Sequence, residues 1–154
     1  MPTPTELIER LLAMTEVDEF LALVHPDAEY QPWPDTRVYR GIAEIREWAE
    51  QEAADPARPQ ALPVTVTERA DRAVIRGQLR YIRGSVEKRH NVLEVAAWVV
   101  TVSDGKLRRV EAFSSWGAAD AAADLPADGA TRDHRFGRGL QLLLGLRPRA
   151  LALG

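Results

Sequence analysis

The sequence predicts an α+β domain, with an antiparallel sheet and helices segregated from it, on three observations. Apolar residues recur at helical spacing up to Asp55, the period shortens to two from Leu62 onward, and Ser103-Asp104-Gly105-Lys106 is a tight hairpin signal between two strand-like runs. The chain has 154 residues, enough for one core. Its 45% hydrophobic and 28% charged content is that of a folded globule rather than a disordered chain.

Each element follows from local pattern. Leu7, Ile8, Leu11 and Leu12 predict a helix over 5–14, with Thr5 as its cap and Pro4 just before it. Val17, Phe20, Leu21 and Val24 carry the apolar pattern on to His25-Pro26, where the proline discourages further helix; two short helices or one bent helix would fit. Residues 28–33 are short, aromatic and flanked by prolines, which predicts an edge strand, and 36–39 pair with it before Gly41. Ile42, Ile45, Trp48 and Ala49 line one side of a helix whose other side holds Glu44, Arg46, Glu47 and Glu50, and which ends before Asp55-Pro56. Val64 and Val66 then alternate with threonines, a turn follows at 70–72, and strands are predicted over 74–83, 89–102 and 107–116. A short alanine-rich helix over 118–125 follows Gly117. Beyond Pro126 the charge reverses, with five basic residues and one acidic residue from 131 to 154. The division expected is therefore a domain over 1–125 and a basic tail over 126–154. The tail is read either as a helix docked on its own acidic domain or frayed, or as a basic element that touches a partner.

Composition also excludes functions. With 20 Lys plus Arg against 23 Asp plus Glu and a net charge of -3, there is no electrostatic case for nucleic-acid binding. Cysteine is absent, which removes disulfides and thiolate nucleophiles. His25, His90 and His134 have no metal-motif spacing, and no phosphate loop or dinucleotide glycine pattern occurs, so no metal and no cofactor are expected. The start lacks a basic region before an apolar core, and the apolar stretch over 140–146 is too short to span a bilayer. No membrane span and a cytoplasmic location are the expectation.

In three places the sequence resembles the nuclear transport factor 2-like (NTF2-like) superfamily, in particular the SnoaL-like relatives of polyketide cyclases and ketosteroid isomerases. These are His25-Pro26-Asp27-Ala28-Glu29-Tyr30, the run from Tyr39-Arg40-Gly41-Ile42 to Trp48, and Trp98 through Asp104-Gly105-Lys106-Leu107 to Phe113. The resemblance implies a cone-shaped, curved antiparallel or mixed sheet packed on N-terminal helices, a pocket at the wide end, and homodimers formed through the sheet. It also implies functions that range from isomerases, cyclases and hydrolases to ligand-binding and assembly domains. The isomerase pattern is not carried over: the position matching its carboxylate base falls near Pro32, its donor acid near Trp98, and its helix tyrosine at Ile8 or Leu11. At the cyclases' last-strand aspartate this chain has Ser115.

Strand alternation offers a site independently. His90, Glu94 and Trp98 share one face of a strand, and Arg109, Glu111, Phe113 and Ser115 one face of its neighbour. If both faces turn inward, His90, Glu94 and Glu111 are candidate acid–base groups beside Arg109; with the other parity they lie on a solvated or dimeric face. Tyr30, Trp33, Trp48, Trp98 and Phe113 could wall a pocket for a hydrophobic ligand, with Ser115 as a polar contact, and equally could be core. Two functions are expected from this: a small-molecule-binding protein or cofactor-free isomerase, cyclase or hydrolase acting on a hydrophobic oxygenated substrate, or a noncatalytic dimerisation or partner-binding module.

Overall fold

The computed structural model describes residues 1–12, 14, 16–55, 59–84, 87–125 and 133–134. Two helices open the chain, α1 (Pro4–Leu12) and α2 (Val17–Ala22), so the two-helix alternative is the one that forms. Thr3 Oγ1 accepts from the Glu6 N–H at 3.1 Å, and Glu6 Oε2 accepts from the Thr3 N–H at 3.0 Å. This reciprocal cap puts Pro4 at the first helical position, where its missing N–H costs nothing. The cap is therefore Thr3 rather than the expected Thr5, whose own N–H donates to Glu68 at 2.9 Å.

Strand β1 (Val24–Gln31) begins earlier than the aromatic run suggests and takes in Pro26. Proline is tolerated there because pairing with the neighbouring strand is irregular between Val24 and Glu29. The short β2 (Tyr39–Arg40) leads into α3 (Gly41–Ala54), which stops before Asp55 as the sequence predicts. Four long strands follow: β3 (Gln60–Arg69), β4 (Arg72–Arg83), β5 (His90–Ser103) and β6 (Lys106–Phe113). The β5–β6 hairpin turns at Asp104 (φ 54°) and Gly105 (φ 71°), the paired positive angles that match strand twist. Helix α4 (Trp116–Ala122) begins two residues before the expected start. The two-residue β7 (Asp133–His134) pairs with β3 at Val66 and Thr67. The other expectations for the basic tail lie outside the described residues.

The strands form one unclosed sheet in the order β2-β1-β6-β5-β4-β3-β7, antiparallel throughout except for the β1–β6 pair. The curved, mixed sheet with few helices is the α+β architecture the sequence predicts. Its inner face carries α1, α2 and α3 over a core that includes Leu7, Phe20, Ile45, Ile75 and Val100. Among the described residues, the helix on its outer face is α4, over Val74, Ala97 and Val99. Arg76 holds α4 down, pairing with Asp120 at 2.9 Å and donating to Thr67 Oγ1 at 2.7 Å. Among the described residues, no helix is long and apolar enough to cross a membrane.

Candidate ligand site on the inner face

Trp98 lies at the centre of the inner face with 0% exposure. Its indole Nε1 donates to the Pro32 carbonyl at 2.8 Å, so the one polar atom of the ring is satisfied by the irregular segment after β1. Tyr30 stands two strands away and stacks on Trp48 of α3, with ring centroids 4.8 Å apart, while Phe20 meets it edge-on at 6.1 Å. Tyr39 extends the cluster to 6.2 Å from Trp48, and Trp33 and Tyr81 pack against the same core while partly exposed. Tyr30, Trp33, Trp48 and Trp98 thus belong to one core cluster on the inner face.

The polar group at the centre of this cluster is the Tyr30 hydroxyl, which is buried and meets no hydrogen-bond partner among the described residues. A buried hydroxyl left unpaired costs about 1–3 kcal/mol, which a hydrogen bond from a bound group would offset. Burial, and next the charge of Glu52, raise the Tyr30 pKa well above the ordinary 10.0. The phenol is therefore a proton donor at any physiological pH. Glu52 follows Ile45, Trp48 and Ala49 on the buried side of α3, and its Oε2 is buried. Its place seven residues after Ile45 and four after Trp48 puts it on that apolar stripe, a signal the sequence carries although Glu52 is a carboxylate.

The raised pKa has a measurable consequence. The folded state holds the Tyr30 proton more tightly than the unfolded chain, so its contribution is complete below pH ~10 and is lost as the pH rises beyond it, by about 1.4 kcal/mol per pH unit. Urea midpoints recorded across that alkaline range should fall more steeply for the wild type than for Tyr30→Phe; equal slopes would contradict the assignment.

The acid–base set read from strand alternation is not brought together. His90 and Glu94 do share the parity of Trp98, and Glu94 accepts from the Tyr81 hydroxyl, but both are exposed at the far end of β5. They stand four residues apart on an extended strand, about 13 Å, beyond direct proton transfer. Arg109, Glu111 and Phe113 lie on the outer face. Val102 pairs with Leu107 and Thr101 with Arg109, so Arg108 is an extra residue in β6 that reverses the parity of everything after it. Leu107 consequently enters the inner core, while Phe113 packs with Val74 and Ala97 beside α4. Arg109 pairs with Glu111 at 2.7 Å on that outer side. Ser115 is exposed, and its Oγ accepts from the Ala118 N–H at 3.0 Å as the cap of α4. Of the two parities the sequence leaves open, this bulge puts Arg109 and Glu111 on the outer one, while His90 and Glu94 keep the parity of Trp98 at the exposed end of β5.

Residues 5–110 match the model of the SnoaL-like domain. No curated protein sequence matches the chain significantly. Among solved structures, a candidate polyketide cyclase of Pseudomonas putida KT2440 is similar at 18% identity with a TM-score of 0.58, covering 76% of this chain and 95% of that one. An NTF2-like protein of unknown function from Burkholderia pseudomallei K96243 gives 15% identity and a TM-score of 0.58 over 79% of this chain and 97% of the other. TerC, crystallised with polyporic acid, gives 20% identity and a TM-score of 0.56 over 78% of this chain and 97% of its own. At these identities the likenesses establish the fold, which is NTF2-like.

Proposed function

This chain belongs to the SnoaL-like domain family, and from that premise we propose that its inner face binds a flat, hydrophobic, oxygenated small molecule and moves a proton on it without a cofactor. The observation that carries the reading is the buried Tyr30 hydroxyl, without a partner among the described residues, on a ring that packs against Trp48 and Phe20 in the core cluster that also holds Trp98. A ligand carbonyl or phenol placed there supplies the hydrogen bond the hydroxyl lacks, against aromatic walls that suit a flat ring. In the catalytic step Glu52 takes a proton from the carbon next to the ligand carbonyl. The C–H electron pair becomes a C=C bond as the carbonyl π pair moves onto oxygen, and Tyr30, held neutral, donates to the enolate oxygen; in a ligand with a neighbouring C=C the enolate is a dienolate with a second basic carbon. Return of the proton from Glu52 to a different carbon completes an isomerisation. Glu94 with Tyr81, and His90 beyond them, belong to the rim of this face. Arg109, Glu111, Phe113 and Ser115 take no part in the step.

Exchange of the activated protons of 2-tetralone in D₂O, followed by NMR, tests this step. Exchange above the buffer rate that disappears in Glu52→Gln is expected; exchange equal to buffer with the folded wild type overturns the catalytic reading. One observation favours the alternative, a noncatalytic dimerisation or partner-binding module: Trp98 fills the centre of the core with 0% exposure.

Either reading includes a homodimer through the sheet. Helix α4 covers only one end of the outer face, and at the other end Ile82, Leu93 and Val95 are 52%, 55% and 50% exposed. A second copy laid on this patch removes the apolar surface of both from water. Light scattering after size exclusion should give a dimer for the wild type and a monomer for Leu93→Asp, and an unchanged mass in the variant would refute this interface.

A further inference from the structure

The outer face carries a second arrangement that the proton-transfer reading does not use. Four residues stand in one row across four strands: Glu29 of β1 opposite Arg109 of β6, Arg109 opposite Thr101 of β5, and Thr101 opposite Arg72 of β4. Two strand spacings separate Arg72 from Arg109, about 10 Å, with the threonine between them. Both guanidinium groups can reach a group placed over Thr101. The row lies in a cleft of about 400 Å³, lined also by Arg108, Glu111, Val99 and Ala122 of α4.

The charges lining the cleft do not cancel. Among the lining residues Arg72, Arg108 and Arg109 face Glu29 and Glu111, one positive charge in excess before the ion pair of Arg72 with Asp71 of the adjoining turn is counted. Arg109 is paired with Glu111 at 2.7 Å, and Arg72 lies 3.7 Å from Asp71 with its side chain 44% exposed. Arg108, the bulged residue, donates to the neutral Asp27 carbonyl rather than to a carboxylate. Val99 and Ala122 give the cleft an apolar floor beside the row.

We propose that this cleft is a binding site for a small organic oxyanion, a carboxylate or phosphate ester, held over Thr101 by Arg72 and Arg109 with its apolar part on Val99 and Ala122. The bulge at Arg108 creates the site, because without it Arg109 and Glu111 would face the core. The cleft lies across the sheet from Tyr30, and about 20 Å along β4 and β5 from the Gln78–Val95 pair at the dimer patch. It therefore stands or falls independently of both.

Titration of the full ¹⁵N-labelled chain with inorganic phosphate and, separately, with benzoate tests the site. Saturable shifts of the Thr101 and Val99 amides with either anion are expected; saturation by phosphate alone assigns a phosphate ligand, and by benzoate alone a carboxylate. The Arg72→Ala, Arg109→Ala double variant should bind at least about tenfold more weakly, since each guanidinium contributes a charge-assisted bond. Glu111→Gln frees Arg109 from a competing carboxylate and should tighten binding by about two- to fivefold, a gain that unfolding cannot imitate. Shifts that do not saturate with either anion, or saturation that is the same in the double variant and in wild type, would overturn the proposal. So would Glu111→Gln weakening the binding.

Discussion

Replacing Trp98 with alanine lowers stability by about 3–5 kcal/mol, the range for deleting a wholly buried large aromatic side chain. That is a large part of the roughly 5–15 kcal/mol that holds a domain of this kind together. Three features place the cost at the upper end. Trp98 has 0% exposure and is among the largest fully buried side chains. It lies in the middle of β5, directly opposite Ile75 on one side and Ala112 on the other, so the backbone around it cannot collapse without breaking two ladders. Its indole also satisfies the Pro32 carbonyl, which fixes the irregular segment after β1. Trp98→Phe separates the terms, keeping most of the ring and losing the hydrogen bond at a cost of about 1–3 kcal/mol. Urea unfolding of both variants checks the order; a loss below about 1 kcal/mol for Trp98→Ala would mean that the centre of the core is not where it is placed here.

Tyr30→Phe is expected to move stability and function in opposite directions. The substitution keeps the ring contacts with Trp48 and Phe20 and removes only the hydroxyl that lacks a partner. Removing an unsatisfied buried polar group raises stability, here by about 1 kcal/mol. The same change removes the donor to the developing enolate, and proton exchange on 2-tetralone should fall by about 10²- to 10³-fold, as for loss of one oxyanion donor. A core tyrosine with no functional role would give the first effect without the second. Loss of both stability and exchange would show instead that the hydroxyl is held by a structural bond. Glu52→Gln keeps the shape of α3 and abolishes the base, so it should leave folding intact while exchange falls by about 10²- to 10⁴-fold.

The architecture was legible because its signals are local. Helical spacing at Ile45, Trp48 and Ala49, the shift to period two at Val64, and Asp104-Gly105 at the hairpin each act within a few residues, and each element formed where its pattern lies. The inward facing of Trp98 was legible for the same reason, since it shares the period of β5 with Ala96 and Val100. What alternation could not reveal was the bulge. Nothing in Lys106-Leu107-Arg108-Arg109 marks one of these residues as extra, because the bulge is set by how β6 pairs with β5 and not by β6 itself. One inserted residue moved Arg109, Glu111 and Phe113 to the opposite face, as a register slip of one always does. Glu52 was missed for a different reason. A carboxylate is assigned to solvent by default, and although its spacing from Ile45 and Trp48 puts it on the apolar stripe of α3, it is the interaction with Tyr30 of β1 that shows it facing inward. Ser115 illustrates a third case: as a residue aligned with a catalytic position it invites a chemical role, but as the residue before a helix its hydroxyl has a local partner within reach.

The central claim is that the Tyr30 hydroxyl is the polar contact of a ligand site on the inner face. The most direct test is a tyrosine ¹³Cζ spectrum of the full chain during titration with 2-naphthol, a flat phenol of the class inferred. The account predicts a saturating shift of the Tyr30 resonance, smaller shifts of Tyr39 and Tyr81, and no saturating change in Tyr30→Phe. A Tyr30 resonance that stays in place while the outer-face amides of Thr101 and Arg109 move, or that stays in place throughout, would contradict it.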